Sequence, residues 1–174
     1  MKILSYLVAG LMLAFIVGGF LLPSQYLVRQ EVRIQASSEQ IHPMVADLSR
    51  WPDWSPWQHN NPDLELKLGE QSFGAGANQA WFDNQGRQKG ALEITHADLD
   101  QGVNYRMQVG SNTAEGRVYY QAHGLSATRV FWEMRGEFSQ PIVGPYMAWF
   151  TRVAVSKNFQ KGLDKLRQQV ETQQ

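Results

Sequence analysis

Histidines are the first residues to test for chemistry, because imidazole is the usual acid–base group and metal ligand near neutral pH. The chain has four of them, His42, His59, His96 and His123. None pairs with another in the His-x-x-x-His or His-Glu-x-x-His spacing that holds zinc on one face of a helix. His96 shares a face with Leu92 and Ile94 in a predicted strand, so it is the one histidine whose position would allow it to point into an apolar interior, although a histidine at such a place is more often exposed or structural than catalytic.

The rest of the sequence offers few residues suited to act as a catalytic nucleophile or to bind a metal ion. The chain has no cysteine, which excludes thiolate nucleophiles, disulfides and cysteine-ligated metals. Ser55 stands between a tryptophan and a proline, with no identifiable base to activate it. The Gly74-Ala75-Gly76 segment lacks the length and the strand-to-helix context of a phosphate-binding loop. We therefore assign no catalytic residue, metal or cofactor, and His96 remains the only candidate acid or base.

Aromatic side chains are the more informative signal. The chain has six tryptophans, and Trp51, Trp54 and Trp57 are separated by two prolines in one short stretch. Two prolines so close exclude a long regular helix, so these indoles project from a short helix or turn. Aromatic residues often fill a core, because they bury large areas. A set that projects from a turn is equally suited to the mouth of an apolar pocket.

Residues 3–22 form an uninterrupted apolar segment without a charge. A helix of this length spans roughly 30 Å at ~1.5 Å per residue, which is the thickness of the hydrocarbon core of a bilayer. The segment is longer than the ~7–15 apolar residues of a signal peptide, and its best cleavage position, after Gly19, fits the small-x-small pattern poorly. We therefore predict an uncleaved transmembrane anchor at residues 1–22, with a cleaved signal peptide as the alternative.

The charges that flank this segment give a nearly balanced orientation signal. Lys2 and the terminal amine lie on one side, and Arg29 and Arg33, offset by Glu31, lie on the other. A very short N-terminal tail usually stays in the cytoplasm. We therefore expect a single-pass protein of the cell membrane whose domain lies on the outer, extracytoplasmic side.

The rest of the chain has the size and charge of one ordinary domain. We divide it into a juxtamembrane linker at residues 23–27 and a domain at residues 28–174, which is long enough for a sizeable core. The chain has 16 basic and 16 acidic residues, without the basic stripe of a nucleic-acid-binding protein. The expected partners are thus a membrane and a small molecule and no nucleic acid, and the oligomeric state stays open.

Hydrophobic periodicity predicts strands through most of this domain. Val28, Val32 and Ile34 alternate with polar residues, which indicates a half-buried strand. After a short capped helix, alternating segments joined by glycine-rich turns continue to Phe138, which favours an antiparallel meander with one wet face. The period then becomes helical from about residue 146 to 169. Gly162 inside this helix costs about 1 kcal/mol relative to alanine, so we expect it to pack closely against another backbone.

Four stretches of the chain carry a resemblance to a known superfamily, and the resemblance extends over essentially all of residues 26–170. They are VRQEVRIQASSEQIHPMVADLSRWPDWSPW, KGALEITHAD, TRVFWEMRGEF and NFQKGLDKLRQQVE. Their order is similar to that of the SRPBCC superfamily, which includes START and birch-pollen-allergen proteins. More closely, it resembles the polyketide cyclase/dehydrase and lipid-transport branch, in its membrane-anchored bacterial type. The resemblance implies an α+β helix-grip fold, in which a curved antiparallel sheet of about seven strands surrounds a long C-terminal helix.

The resemblance also implies an apolar cavity between the sheet and the helix. Proteins of this kind bind lipids, quinones, polyketides or steroids, and only some of them are enzymes. We therefore expect non-catalytic binding of a lipid, isoprenoid or polyketide-like molecule. The ligand-binding residues expected on the sheet, the helix and the rim are Trp54, Trp57, Tyr105, Met107, Tyr120, Trp132, Met134, Phe138, Phe150 and Phe159.

Two alternatives stay open from the sequence. An enzyme of cyclase or dehydratase type would need a polar group inside the cavity, and His96 is its only candidate. A membrane-tethered interaction module without a ligand would instead have a packed interior and an exposed apolar patch.

Overall fold

The computed structural model describes residues 2–57, 61–124 and 126–173, so His59 lies outside the described residues. The helices are α1 (Lys2–Leu21), α2 (Ser38–Ala46), α3 (Trp51–Trp54) and α4 (Val143–Thr172). The strands are β1 (Gln25–Ile34), β2 (Glu65–Leu68), β3 (Asn78–Phe82), β4 (Gln88–Asp98), β5 (Gly102–Val109), β6 (Asn112–Ala122) and β7 (Thr128–Glu137). A 3₁₀ turn, Leu48–Arg50, joins α2 to α3.

The seven strands form one antiparallel sheet in the order β1-β7-β6-β5-β4-β3-β2. Strands β2 to β7 each pair with the next strand along the chain, as the alternating sequence predicts. The first strand, β1, pairs with the last strand, β7, along its whole length, from Gln25↔Glu137 to Ile34↔Thr128. The curved sheet and the long C-terminal helix make up the expected α+β helix-grip fold, which is confirmed.

Helix α4 covers the inner face of the sheet and packs mainly on β1, with further contacts to β7 and α3. Its buried residues recur at helical spacing, as expected for an amphipathic helix with one face on a core. They are Gly144, Pro145, Ala148, Phe159, Gly162, Leu163, Leu166 and Val170. The predicted apolar stripe of this helix therefore forms one wall of the domain interior.

Helix α2 begins at a capping signal in the sequence. The side chain of Gln40 accepts a hydrogen bond from the backbone N–H of Ser37 at 3.0 Å, which satisfies one donor that the helix start leaves unpaired. The helix then buries Ile41, Met44 and Val45 against the sheet. The 3₁₀ turn after α2 leads directly into α3, whose Trp51 and Trp54 pack against Trp132 of β7.

Helix α1 matches the predicted apolar segment, and Ile3–Leu21 is long and apolar enough to cross a membrane. The following strand begins at Gln25, inside the segment that was predicted as a linker. The connection is therefore shorter than predicted and leaves α1 close to the domain. The ring of Phe15 in α1 stacks on that of Tyr146 in α4, with centroids 4.4 Å apart.

Candidate functional site

An apolar cavity lies between the inner face of the sheet and α4, with α3 and the segment after it at one side. Its volume is about 80 Å³. The lining is almost entirely apolar and comes from α3, from the sheet and from the middle of α4. The lining residues are Trp51, Pro52, Ser55, Pro56, Trp57, Leu66, Gln79, Trp81, Leu92, Tyr105, Met107, Trp132, Met134, Val155, Asn158 and Phe159.

A stacked aromatic pair forms the back wall of the cavity. The rings of Trp132 and Phe159 are 3.9 Å apart and nearly parallel, and they connect β7 to α4. The indole of Trp54 packs against Trp132 edge-on at 4.9 Å. Nε1–H of Trp132 donates a hydrogen bond to the hydroxyl of Tyr105 at 2.8 Å, so the one polar atom of this indole is satisfied.

Tyr105 is the buried hydroxyl group of this wall. Its burial raises its pKa far above the ordinary value of tyrosine, and the bond from Trp132 offsets this only in part. The phenol therefore stays neutral at physiological pH. Its ring lies directly against Gly116 on the neighbouring strand, where any Cβ would overlap it.

Trp51 and Trp54 hold the short helix α3 onto the domain. Nε1–H of Trp51 donates to the carbonyl of Val45, and Nε1–H of Trp54 donates to the carbonyl of Met44, both at 2.9 Å. Trp54 is 0% exposed, so it does not form the rim of the cavity. It packs against the wall residue Trp132 on the side away from the cavity. Three tryptophans close in sequence therefore have different roles, since Trp57 alone combines the predicted rim position with partial exposure.

Gly162 lets α4 approach this tryptophan cluster. A Cβ at this position would lie 2.7 Å from Cζ3 of Trp132 and 3.0 Å from Cδ of Pro56, with the backbone carbonyl of Trp54 next to them. Gly162 therefore does pack closely, but against the side chains of Trp132 and Pro56 and not against another backbone as expected, since the carbonyl of Trp54 would lie 3.5 Å from a Cβ, an ordinary contact distance.

Three buried polar atoms at the opposite wall lack a hydrogen-bond partner among the residues that the structure describes. They are Nε1 of Trp57, Nε1 of Trp81 and Oε1 of Gln79. The Trp57 and Trp81 rings pack 5.3 Å apart at a tilt. An unsatisfied buried donor or acceptor costs about 1–3 kcal/mol. The wall that these three side chains form is therefore the least favourable part of the cavity lining.

Six of the ten residues expected to bind a ligand lie together on the cavity wall. They are Trp57, Tyr105, Met107, Trp132, Met134 and Phe159. Whether they contact a ligand stays a prediction. The structure places the other four elsewhere.

The four residues outside the lining are displaced for separate reasons. Trp54 lies behind the wall. Tyr120 points to the far end of the sheet, where its hydroxyl is 3.3 Å from Nδ1 of His42. Phe138 follows the end of β7 and packs against Tyr26 near the start of α4. Phe150 is 68% exposed on the outer side of α4, so its expected position on the helix side of the cavity is corrected.

His96 does not point into the interior. The pairing of β4 with β5 shifts between Ile94 and His96, and this β-bulge interrupts the alternation that would have kept both residues on one face. His96 is exposed, whereas Leu92 and Ile94 are buried. The only acid–base candidate from the sequence therefore lies outside the cavity.

The cavity residues on β3 were not predicted from the sequence. Gln79 and Trp81 alternate with exposed or half-buried neighbours and line the cavity side by side. The period-two pattern of this strand was a usable signal, since Ala77 is buried on the same face. Val155 and Asn158 of α4 were missed as well, and they lie one helical turn before Phe159 and Gly162.

Other candidate sites carry less support. A larger polar groove lies on the outer face of the sheet, but its charges pair across the strands, Arg117 with Glu133 and Arg135 with Glu115. Exposed pairs of this kind are typical of a solvated sheet face. Within residues 2–57, 61–124 and 126–173, no three histidine or acidic side chains converge on a metal position.

Comparisons with solved structures agree with this architecture. The protein TTHA0849 from Thermus thermophilus is 20% identical, with a TM-score of 0.60 over 84% of this chain and 97% of that chain. The hypothetical protein jhp0584 from Helicobacter pylori is 11% identical, with a TM-score of 0.62 over 83% and 87%. Ara h 8.0201 is 11% identical, with a TM-score of 0.58 over 85% and 99%. At these identities the likeness shows the fold alone.

A comparison with curated proteins found no match. Residues 25–171 match the family described as polyketide cyclase / dehydrase and lipid transport. The match begins at the first residue of β1 and ends within the last turn of α4, so it covers the whole sheet and the helix that packs on it. The chain belongs to the polyketide cyclase / dehydrase and lipid transport family, and this family fold supports the binding of hydrophobic molecules in general.

Proposed function

We propose that this protein binds a hydrophobic small molecule of lipid, isoprenoid or polyketide type, without a chemical step, while α1 holds it at a membrane. The observation that carries the proposal is the apolar cavity between the sheet and α4, walled by Trp132, Phe159 and Met134. Apolar ligand surface that leaves water here contributes roughly 25 cal/mol per Å². A tether near the bilayer keeps the cavity where such molecules are concentrated.

The size of the cavity implies that the lining moves when a ligand binds. A volume of about 80 Å³ is smaller than the roughly 150 Å³ of an engineered cavity that holds benzene. Trp57 is the best candidate to move, because it is only partly buried and its indole N–H has no partner in the described structure. Displacing the Trp57 side chain breaks no hydrogen bond of its indole. Opening the cavity at Trp57 therefore costs less free energy than moving Trp51 or Trp54, whose indoles are hydrogen-bonded.

The contact between α1 and α4 supports an uncleaved anchor over a signal peptide. A Cβ on Gly19 would lie 2.5 Å from the carbonyl oxygen of Ile142, and one on Gly18 would lie 2.5 Å from the hydroxyl of Tyr146. Cleavage after Gly19 would remove both glycines and the stacked Phe15. We propose that α1 is retained, with the domain on the extracytoplasmic side.

A second candidate function is a membrane-tethered interaction module without a ligand. Two observations favour it, the small volume of the cavity and the exposed apolar side chains on α4, among them Trp149 and Phe150. The two candidates differ in what the cavity does. A binding protein must lose affinity for its hydrophobic ligand when a larger side chain fills the cavity. The same substitution leaves the binding of an interaction module to its partner unchanged.

The test is a titration of the full-length protein with N-phenyl-1-naphthylamine, a neutral fluorescent probe of apolar sites. Met107 lines the cavity, and Val109 lies two residues further on the same face of β5 but is exposed. We expect saturable binding to the wild type and to Val109→Trp, and a loss of at least about tenfold, or 1.4 kcal/mol, for Met107→Trp. No saturable binding to the wild type, or equal binding to both variants, would refute the proposal.

A further inference from the structure

The first half of α4 carries an apolar face that nothing in the described domain covers. Val143, Met147 and Phe150 follow one another at spacings of four and three, so they share one side of the helix. All three are exposed, and so are Trp149 and Val153 next to them. The opposite side of the same helix is buried against the domain at Ala148 and Phe159.

The composition of α4 changes along its length. No charged residue occurs between Glu137 and Arg152, and Lys157 is the next after that. From residue 157 onward the exposed side is charged, which is the usual pattern of a helix that faces water. The uncharged part of the helix, residues 143–151, is therefore distinct from the water-facing part after residue 157, although both belong to one continuous helix.

The contact with α1 sets the level of this face relative to a bilayer. Phe15, whose ring stacks on Tyr146, precedes the end of the apolar segment at Leu22 by seven residues, or about 10 Å of helix. If α1 fills the hydrocarbon core of roughly 30 Å, Tyr146 must lie about as deep as Phe15. The residues that surround Tyr146 on the outer side of α4 then lie within the same leaflet.

The hydrogen bonding of Tyr146 is suited to that depth. Its hydroxyl donates to the backbone carbonyl of Phe15 at 2.8 Å, so this polar group is satisfied within the protein, as a low-dielectric environment requires. Tyrosine and tryptophan are also the side chains favoured at membrane interfaces. The long side chain of Arg152 is able to extend from the edge of the face to the headgroups.

We infer that the first two turns of α4, residues 143–150, are embedded in the membrane leaflet next to α1, so that the domain touches the bilayer through two helices. This inference rests on the anchor role of α1 in the proposed function. It goes beyond that role, because a tether alone leaves the domain free to move above the surface. A second contact fixes the orientation of the sheet and the cavity relative to the lipid.

The absence of cysteine in the sequence allows a clean test by site-directed spin labelling. The single variants Met147→Cys and Phe150→Cys are spin-labelled in the full-length protein in phosphatidylcholine–phosphatidylglycerol nanodiscs. Collision rates with oxygen, which concentrates in lipid, and with a water-soluble nickel chelate are compared. Leu13 in α1 is the bilayer reference, and exposed Gln168, near the end of α4, is the water reference.

We expect oxygen-to-nickel ratios at positions 147 and 150 that are several-fold above the ratio at 168 and close to that at 13. Ratios at 147 and 150 equal to that at 168, with position 13 still in lipid, would overturn the inference and leave the anchor intact. Loss of residues 1–19 from the intact mass, or a water-like ratio at 13, would overturn the anchor as well. Strong spin–spin broadening at 150 with low oxygen access would show that a second copy covers the face, which also overturns the inference.

Discussion

The rings of Trp132 and Phe159 lie 3.9 Å apart at an angle of 5°, and this stack joins the middle of β7 to the middle of α4. Trp132 is in turn bonded to Tyr105 on β5 and packed by Trp54 from α3. One aromatic contact therefore lies at the meeting point of the elements that enclose the cavity. Its loss should affect the stability of the fold and the shape of the cavity together.

The first prediction concerns this stack. Phe159→Ala should lower the free energy of unfolding by about 3–5 kcal/mol, because a buried aromatic ring is replaced by a void. Chemical denaturation of the protein in detergent micelles measures the change. Lys161→Ala, an exposed position on the same helix, is the control and should shift it by less than about 0.5 kcal/mol. Equal stabilities of the two variants would contradict the role assigned to the stack.

A second prediction concerns Gly162. Alanine favours a helix by about 1 kcal/mol over glycine, but a Cβ here would lie 2.7 Å from the Trp132 ring, and overpacking costs about 1–3 kcal/mol. Gly162→Ala should therefore destabilise the domain by about 1 kcal/mol and alter the near-ultraviolet circular dichroism of the tryptophans. Gln169→Ala, an exposed change on the same helix, controls for helix propensity. A stabilised Gly162→Ala protein would show that the contact is not tight.

The strands and the long C-terminal helix could be predicted from the sequence because they have a clear hydrophobic period. Trp132 and Met134 were placed correctly on the inner face, since β7 alternates without interruption. The side of the sheet to which His96 points could not be predicted, because it depends on a β-bulge. A bulge arises from the pairing of two strands and is not visible in the sequence of either strand by itself. Trp54 and Trp57 could not be told apart, because an irregular segment has no period from which a direction follows.

The exposure of Phe150 could not be predicted from the sequence for a different reason. A helical pattern marks apolar positions, but it does not say whether the domain or a surrounding membrane covers them. Its exposed position follows only from the packing of α4 on β1 and α1.

A third prediction concerns the movement of Trp57. Trp57→Ala should increase the affinity for long-chain apolar probes several-fold, because it removes the side chain that has to be displaced when a ligand binds. Competition of alkyl chains of increasing length against the fluorescent probe measures this effect. Trp149→Ala, on the outer side of α4, serves as the matched control. Weaker binding by Trp57→Ala would contradict the proposed opening at this residue.

A fourth prediction concerns pH. Burial lowers the pKa of His42, with a smaller opposing effect of Asp98. The folded state therefore prefers the neutral ring, so the unfolded state takes up the proton first as the pH falls. Stability should decrease from about pH 7 downward, as the pH passes below the unfolded pKa near 6.5 towards the lower folded value.

Unfolding free energies between pH 8 and pH 5.5 measure this dependence, and His42→Gln should flatten it relative to the wild type. His96→Gln changes an exposed histidine and provides the comparison. An unchanged slope in His42→Gln would show that the ring near Tyr120 does not contribute to the pH dependence.

Native mass spectrometry of the full-length protein, released from mild detergent after membrane extraction, tests the central claim most directly. We predict that the wild type and Val109→Trp retain an added mass of lipid or isoprenoid size, and that Met107→Trp, whose indole fills the cavity, retains much less. A bare protein mass in the wild type, or equal retention by Met107→Trp, would contradict the account of the cavity as a ligand-binding site.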